Sequence, residues 1–161
     1  MAATVRNAGL TTVKIKFPSG SIETLGYTRN GAEVGEEAHY EDVHGDENGG
    51  DAGPPIDIQY LGAIARIRLD CTKFDIAVIN KIRARLDSAT LGTPGTAGTF
   101  MFGGAKDFRL ILDCTTDPRN FPRVICREEI SSNLGTKYQA WSLTLEAHKN
   151  GSGVLWDTTT T

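Results

Sequence analysis

The chain has 161 residues, a length typical of one domain. Its composition, 39% hydrophobic and 23% charged, is that of a globular protein and not of a disordered one. No run of about 18 apolar residues is present, which argues against a membrane-spanning helix, and the first residues lack the apolar core of a signal peptide. We therefore expect a single domain over residues 1–161, without a membrane partner, that is made and kept in the cytoplasm or exported only as part of a larger assembly.

Charge is distributed unevenly along the chain, whose formal net charge is −3. The stretch from Glu33 to Asp57 contains nine acidic residues and no Lys or Arg. The remainder carries 17 basic and eleven acidic residues, so an acidic segment is attached to a basic body. Like charges at this density repel one another within one subunit and would suit a basic partner surface. The alternative is a solvated acidic loop that only aids solubility.

The N-terminal part of the chain predicts three strands. Residues 11–17 alternate apolar and polar side chains, as a half-buried strand does. Residues 22–28 predict a second strand, and the sequence Arg29-Asn30-Gly31 that follows is typical of a hairpin turn, because Asn-Gly accepts positive φ at low cost. Residues 32–43 predict a third strand that is weaker and strongly charged.

A long polar loop, at about residues 44–55, follows these strands. Apart from two prolines, residues 45–55 contain no apolar residue larger than Ala, so the loop cannot pack into a core. Loops of this length inside a compact domain are usually functional or disordered. The sequence therefore predicts an exposed acidic loop whose exit is fixed by Pro54 and Pro55.

The next segment, residues 56–71, predicts an unusually long strand. Its apolar residues change from one parity to the other near Gly62, which predicts a β-bulge at residues 62–65. At about 3.3 Å per residue the strand would run for roughly 50 Å, which is long for a small monomer. We expect such a strand to reach past its own domain. The two sets are Ile56, Ile58, Tyr60 and Ile64 before the change, and Ile67, Leu69 and Cys71 after it.

One helix and three further strands complete the prediction. Thr72-Lys-Phe-Asp75 fits a capping box, and Phe74, Val78, Ile82 and Leu86 then recur at helical spacing over a helix at about residues 74–87. Residues 106–114, 121–128 and 137–148 alternate as strands do. The predicted fold is mainly β: a β-sandwich or partly open barrel of antiparallel strands, with one flanking α-helix and the long acidic loop.

The sequence contains no pattern that predicts catalysis. Neither a Gly-x-Ser-x-Gly elbow nor a Walker loop is present. A metal site at Asp42, His39 and His44 is conceivable, but the calcium-loop pattern is missed, since His44 occupies the first acidic position and Pro55 the final one. We therefore expect no enzyme activity, no cofactor and no metal.

Three cysteines, Cys71, Cys114 and Cys126, are an odd number without metal-ligand spacing. Free cysteines are usually interior, so the sequence predicts three buried thiols. A disulfide between Cys114 and Cys126 remains open, because a pairing cannot be read from spacing alone.

Three segments resemble the bacteriophage tail tube protein family. The first is Leu25-Gly-Tyr-Thr-Arg-Asn-Gly31 followed by a charged strand and a loop, and the second is the long strand at residues 56–71 running into the amphipathic helix. The third is Asn120-Phe-Pro-Arg-Val124, then the strand at residues 137–148, then Asn150-Gly-Ser-Gly-Val-Leu-Trp156. Together they cover about two thirds of the chain.

The resemblance implies a structural role. Members of this family form a small β-domain flanked by a helix, six copies make a ring, and the rings stack into a hollow tube through which viral DNA passes. The implied partners are further copies of this chain, other phage tail proteins, and viral DNA that is not bound sequence-specifically. The implied location is the virion tail, assembled in the host cytoplasm. Another virion role, in capsid decoration or tail completion, is the alternative, and a ligand-binding β-module is a weaker one.

The candidate subunit-interface residues follow from the uneven charge. We expect the acidic loop to reach neighbouring copies, part of the excess acid to face the bore, and the arginines to face neighbours. Without interleaved aromatic residues, the arginines do not predict a nucleic-acid site. The candidates are His44, Asp46, Glu47, Asp51, Pro54 and Pro55 in the loop, and Arg66, Arg68, Arg83 and Arg85 in the body.

Overall fold

The computed structural model describes residues 9–84, 97–103, 106–135 and 138–161. Within these residues the chain forms seven strands and one α-helix, besides two short 3-10 turns. The elements in chain order are β1 (Thr11–Lys16), β2 (Ile22–Val43), β3 (Asp57–Phe74), α1 (Ile76–Ala84), β4 (Phe108–Cys114), β5 (Arg119–Ile125), β6 (Ser131–Ser132) and β7 (Trp141–Ala147).

Six of the strands form one closed antiparallel barrel, in the order β3-β2-β1-β4-β5-β7, with β7 returning to β3. The two residues of β6 add to the side of β7. The predicted antiparallel β-fold with one helix is confirmed. The sandwich and the partly open barrel are both wrong, because Ala65–Cys71 on β3 pairs with Trp141–Ala147 on β7 and closes the sheet.

The barrel interior is filled by the alternating apolar residues that the strand patterns contain. Pleated strands send successive side chains to opposite faces, so every second residue of β1, β3, β4 and β7 points inward. These residues form one buried cluster and include Val13, Ile15, Ile67, Leu69, Leu110, Leu112, Leu143 and Leu145.

Helix α1 adds its apolar face to the same cluster. Val78, Ile79 and Ile82 are buried, as the helical spacing predicts. The predicted capping box is wrong: Thr72 lies within β3, and Asp75 is itself the cap, because its Oδ1 accepts the backbone N–H of Ala77 at 2.8 Å. The predicted helix begins two residues too early, and its last residues, 85–87, lie outside the described part of the chain.

The predicted turn at Arg29-Asn30-Gly31 is also wrong, since β2 runs through it without reversing. Between Thr28 and Ala32, β2 contains two residues more than the facing part of β3, so the segment is a bulge. Gly31 does adopt positive φ, at 86°. The predicted conformational preference is therefore correct, but β3 offers partners to β2 on both sides of the bulge and keeps the strand continuous.

Two further predictions are confirmed with shifted boundaries. The long strand exists as β3, and its bulge lies at Leu61 and Gly62, because Tyr40 pairs with Tyr60 while His39 pairs with Gly62. As a result Ile64 lies on the opposite face from Ile58 and Tyr60, contrary to the prediction.

The three cysteines are buried thiols, as predicted, and Cys114 and Cys126 form no disulfide. None of the helices in the described ranges is long and apolar enough to cross a membrane.

Candidate assembly surface

Strands β2 and β3 continue beyond the barrel as a two-stranded arm. On the side of β2 that faces away from β3, strand β1 pairs with β2 only as far as Tyr27. On the side of β3 that faces away from β2, strand β7 pairs with β3 only from Ala65 onward. We define the arm as residues 36–64. Its eight β3 residues, at about 3.3 Å each, project roughly 25 Å. In the described structure both outer edges of the arm have no strand partner.

One face of the arm is apolar and exposed. The register places Ala38, Tyr40, Ile58, Tyr60 and Ala63 on the side that continues the barrel interior, and we call this set the apolar face. Two acids of β2, Glu36 at the base and Asp42 near the tip, lie on the same side. The rings of Tyr40 and Tyr60 lie 5.6 Å apart, and these two side chains are 61% and 59% exposed. Ile58 is 59% exposed. Large apolar side chains grouped in this way on a surface typically mark an interaction site.

The opposite face of the arm is polar. It contains Glu37, His39, Glu41 and Gln59, all exposed, and its apolar members Ile64 and Val43 lie at the two ends. At the base of the arm the Arg66 guanidinium lies 3.9 Å from the Glu37 carboxylate, and both side chains are about half exposed. An exposed pair at this distance contributes little stability, so Arg66 remains available to a further partner.

The predicted loop is the tip of the arm, residues 44–56. It folds into two 3-10 turns, Asp46–Asn48 and Gly50–Ala52, closed by the backbone N–H of Ile56 donating to the Val43 carbonyl at 2.8 Å. Gly53 is required there because a Cβ would lie 1.7 Å from the Asn48 carbonyl oxygen. The tip is therefore a compact structure. Its predicted residues Asp46, Glu47, Asp51, Pro54 and Pro55 are exposed, and His44 is half-buried.

The predicted arginines lie elsewhere. Arg66 and Arg68 point outward from β3, at the foot of the arm. Arg83 lies on α1, where its guanidinium stacks 5.1 Å from the Trp141 ring and donates to Asn80 Oδ1 at 3.2 Å. Arg85 lies outside the described residues. Because the length of the arm separates the tip from Arg66, the acidic and basic candidates do not meet within one copy.

Sequence reasoning missed the apolar face. The alternation predicts a strand with a buried side at Ile58 and Tyr60, but their partners Asp42 and Tyr40 belong to the acidic stretch. The register puts two acids, Glu36 and Asp42, on the same side as Ile58 and Tyr60, and carboxylates are rarely buried without a partner. The pairing of β2 with β3 could have revealed this exposed face, but the sequence does not show that these two strands pair.

The conceivable metal cluster at Asp42, His39 and His44 is not assembled. The register places Asp42 and His39 on opposite faces of the arm, and His44 lies in the tip. Within the described ranges no group of three His, Cys, Asp or Glu side chains is arranged to hold a metal ion.

A scan against protein-family models finds no match for this chain, and a search of curated proteins finds none either.

Proposed function

We propose that this protein is a structural component of a bacteriophage virion whose copies assemble through the arm. In this proposal, rings of the protein, six copies in each, stack into the tail tube that conducts DNA during ejection. The observation that carries the proposal is the arm itself. A two-stranded ribbon is marginally stable in water, and this one also exposes an apolar face. Burial against further copies would stabilise both features.

The charge of the arm supports a repeating contact between copies. Residues 36–64 contain eight acids and no Lys or Arg. Exposed cations of the body, among them Arg66, Arg68 and Arg83, lie outside the arm. A contact between the acidic arm of one copy and the basic body of the next is heterologous, and heterologous contacts generate rings or filaments. Complementary potentials also favour association over mispairing.

An acidic surface also suits a conduit for DNA. Each Lys or Arg that contacts a phosphate adds salt-dependent affinity, which would retard a moving duplex. We infer that some of the arm acids line the bore and repel the phosphates. A strongly basic bore in the assembled particle would contradict this part of the proposal.

Capsid decoration and tail completion are alternatives that use the same arm. Both would end in a closed particle of limited size or in a complex with another virion protein. The tail tube is preferred because the arm and the basic body differ, so each added copy presents the same pair of surfaces again.

Negative-stain electron microscopy of the concentrated protein tests the proposal, with rings or tubes of uniform bore expected. The matched variant removes the arm. Glu36 and Ala65 are register partners, so an Asn-Gly turn inserted between them, in place of residues 37–64, closes the shortened hairpin and keeps the buried Ala65.

We expect the armless variant to fold and to stay monomeric, and the full chain to assemble. A full chain that is monomeric at every concentration would overturn the proposal, as would an armless variant that still forms rings.

A further inference from the structure

A small cavity lies at the mouth of the barrel, next to the foot of the arm. Strand β1 begins at Thr11, whereas β2 continues past the point where the two strands stop pairing. Beyond that point no strand separates β2 from the end of β4 and the start of β5. The described residues leave a space of about 220 Å³ there, and Thr11 forms part of its lining.

The walls of the cavity are mostly apolar. Ala32 and Val34 of β2 point into the barrel, because they pair with two buried residues of β3. Leu112 and Cys114 of β4 line the opposite side and are buried. The side chains of Ala, Val and Cys are short and leave the barrel interior incompletely filled, which is destabilising while the space is empty. An engineered apolar cavity of about 150 Å³ binds benzene, so this one has room for an aromatic ring.

Arg119 lies at the opening of the cavity and is held there from three sides. Its Nε and Nη2 donate to the Asp117 carboxylate at 3.5 and 3.2 Å, and its guanidinium lies 4.8 Å from the centroid of the Trp156 ring. Its Nη1 lies 3.9 Å from Glu36 Oε1, which is too long for a hydrogen bond. Within the described structure, the N–H groups of Nη1 are therefore positioned but remain available to a ligand.

The charges at the opening favour a neutral ligand. Arg119 is one cation beside two carboxylates, Asp117 and Glu36. A ligand carboxylate would contact the guanidinium but would be repelled by both acids. A carboxamide is neutral, and it has both an acceptor for the Nη1 N–H groups and a donor for Glu36.

We propose that this cavity is a binding site for a small, neutral aromatic molecule that carries an amide group. The ring fills the space between Val34 and Leu112, and the amide bridges Arg119 and Glu36 at the opening. The mouth of a β-barrel is a frequent position for a ligand site. This site goes beyond the proposed function, since assembly through the arm requires no ligand.

NMR titration of the dilute full chain with benzamide tests the proposal. Benzoate has the same ring with a negative charge, and toluene has the ring without a hydrogen-bonding group. We expect benzamide to bind at least tenfold more tightly than either of them. Tighter binding of benzoate or toluene would overturn the assigned ligand class, and the absence of saturable binding by all three would overturn the site.

Two substitutions locate the bound molecule. Ala32→Leu fills the cavity and should weaken benzamide binding at least tenfold. Ala38→Leu is the matched control, because it makes the same change in β2 at an exposed position of the arm, and binding there should stay within twofold. Equal affinities in the two variants would place the ligand elsewhere and contradict the proposal.

Arg119→Met tests the polar end of the site. Methionine removes the donors but keeps a long side chain over the opening. We expect the preference for benzamide over toluene to fall below threefold in this variant. A preference that is unchanged would show that Arg119 does not bind the amide.

Cys114 provides a measurement that needs no substitution, because its thiol lines the cavity. Burial raises the pKa of Cys114, but hydrogen bonds donated by the backbone N–H groups of Thr116 and Asp117 outweigh this effect, so its pKa is lowered overall. A lowered pKa increases the thiolate fraction, which is the reactive form. Small thiol reagents that enter the cavity should therefore modify Cys114.

Modification by methyl methanethiosulfonate, followed by peptide mass spectrometry, measures each cysteine separately. Burial and the Asp70 charge raise the pKa of Cys71 to about 11, so Cys71 is the internal control. We expect a saturating concentration of benzamide to slow the modification of Cys114 at least threefold without affecting Cys71. An unchanged rate at Cys114 would overturn the proposal. Protection of Cys114 by assembly alone would also overturn it, because the cavity would then belong to a contact between copies.

Discussion

Asn120 is the buried polar side chain that holds the C-terminal segment to the barrel. Its Nδ2 donates to Asp157 Oδ1 at 2.8 Å, and its Oδ1 accepts from Arg109 Nε at 2.6 Å. The backbones of Asn120 and Asp157 also exchange two hydrogen bonds. Arg109 in turn donates to the carbonyls of Thr159 and Thr161. Because Asn120 is almost fully buried, leaving any of these groups without a partner would be costly.

Asp157→Asn tests this network through its pH dependence. The hydrogen bonds from Asn120 and from the Thr159 backbone lower the pKa of Asp157 from its ordinary value of 3.8. A lowered pKa adds stability that is fully present above 3.8 and is lost as the pH falls through the folded-state value. We expect the variant to lose about 1 kcal/mol near neutral pH. This difference should vanish in acid.

The free energy of unfolding, measured by urea denaturation across pH, checks this expectation. Asp46→Asn is the control, because Asp46 is exposed in the tip. Its stability should match that of the unsubstituted protein throughout. A difference for Asp157→Asn that persists unchanged in acid would mean that the hydrogen bond does not depend on the carboxylate charge.

At the scale of elements, the close approach of β2 and β3 depends on Gly26. This glycine has φ of 146°, and a Cβ built on it would lie 2.0 Å from the Lys73 carbonyl oxygen. The obstacle is backbone, so it cannot rotate away. We expect Gly26→Ala to destabilise the fold by roughly 2–4 kcal/mol, measured by thermal or chemical unfolding.

Gly35→Ala is the control for that measurement. Gly35 lies in the same strand with φ outside the left-handed region, and a Cβ there would meet nothing within 4 Å. Its effect should stay within about 0.5 kcal/mol. Equal stabilities for the two variants would show that β3 shifts to accommodate the added methyl group.

The apolar face gives the second prediction at this scale. We expect Tyr60→Ser to leave the stability of the monomer within about 0.5 kcal/mol, because the side chain is mostly exposed. Assembly should weaken strongly, since the variant removes aromatic area that only another copy can bury. Analytical ultracentrifugation over a concentration series measures assembly, and urea denaturation of the dilute protein measures stability. Gln59→Ser, on the polar face, is the control, and an equal loss of assembly in both variants would contradict a special role for the apolar face.

The elements also show what the sequence can predict. Alternation located the strands because a pleated strand with one buried side must alternate, as β1 and β7 do. It failed at Asn30-Gly31, where the same local preference serves a turn or a bulge, and only the facing strand decides between them. The predicted capping box places the helix cap at Thr72 instead of Asp75 for a similar reason, because the pairing of Lys73 and Phe74 with β2 keeps these residues extended.

For the whole molecule, barrel closure depends on contacts far apart in sequence. Between β5 and β7 the sheet is joined by Val124–Ala147 and Ile125–Glu146, and the Asn120–Asp157 bridge continues the seam. Local sequence patterns do not predict that these two β5–β7 residue pairs form, so the sequence is equally compatible with a closed barrel and with a partly open one. The same limit applies to the arm: its charge was visible in the sequence, but its exposed apolar face followed from the register.

The difference between the barrel and the arm leads to a prediction about local stability. The barrel strands surround a buried core, whereas residues 35–43 and 54–61 are exposed throughout. Regions with few buried contacts open at low free energy and exchange their amide hydrogens quickly. We expect the arm of the dilute protein to exchange at least a hundredfold faster than β1, β4 and β7, and to become protected when the protein assembles.

Hydrogen-exchange mass spectrometry at low and high protein concentration measures this change. Protection should appear in both arm strands if neighbouring arms join edge to edge, because each edge gains hydrogen bonds. Exchange in the tip should slow only if the tip also contacts another copy. The barrel peptides are the internal control, since their hydrogen bonds are already formed within one copy. An arm that is equally protected at all concentrations would mean that its backbone is already stabilised within the monomer, which would contradict the arm's dependence on neighbouring copies.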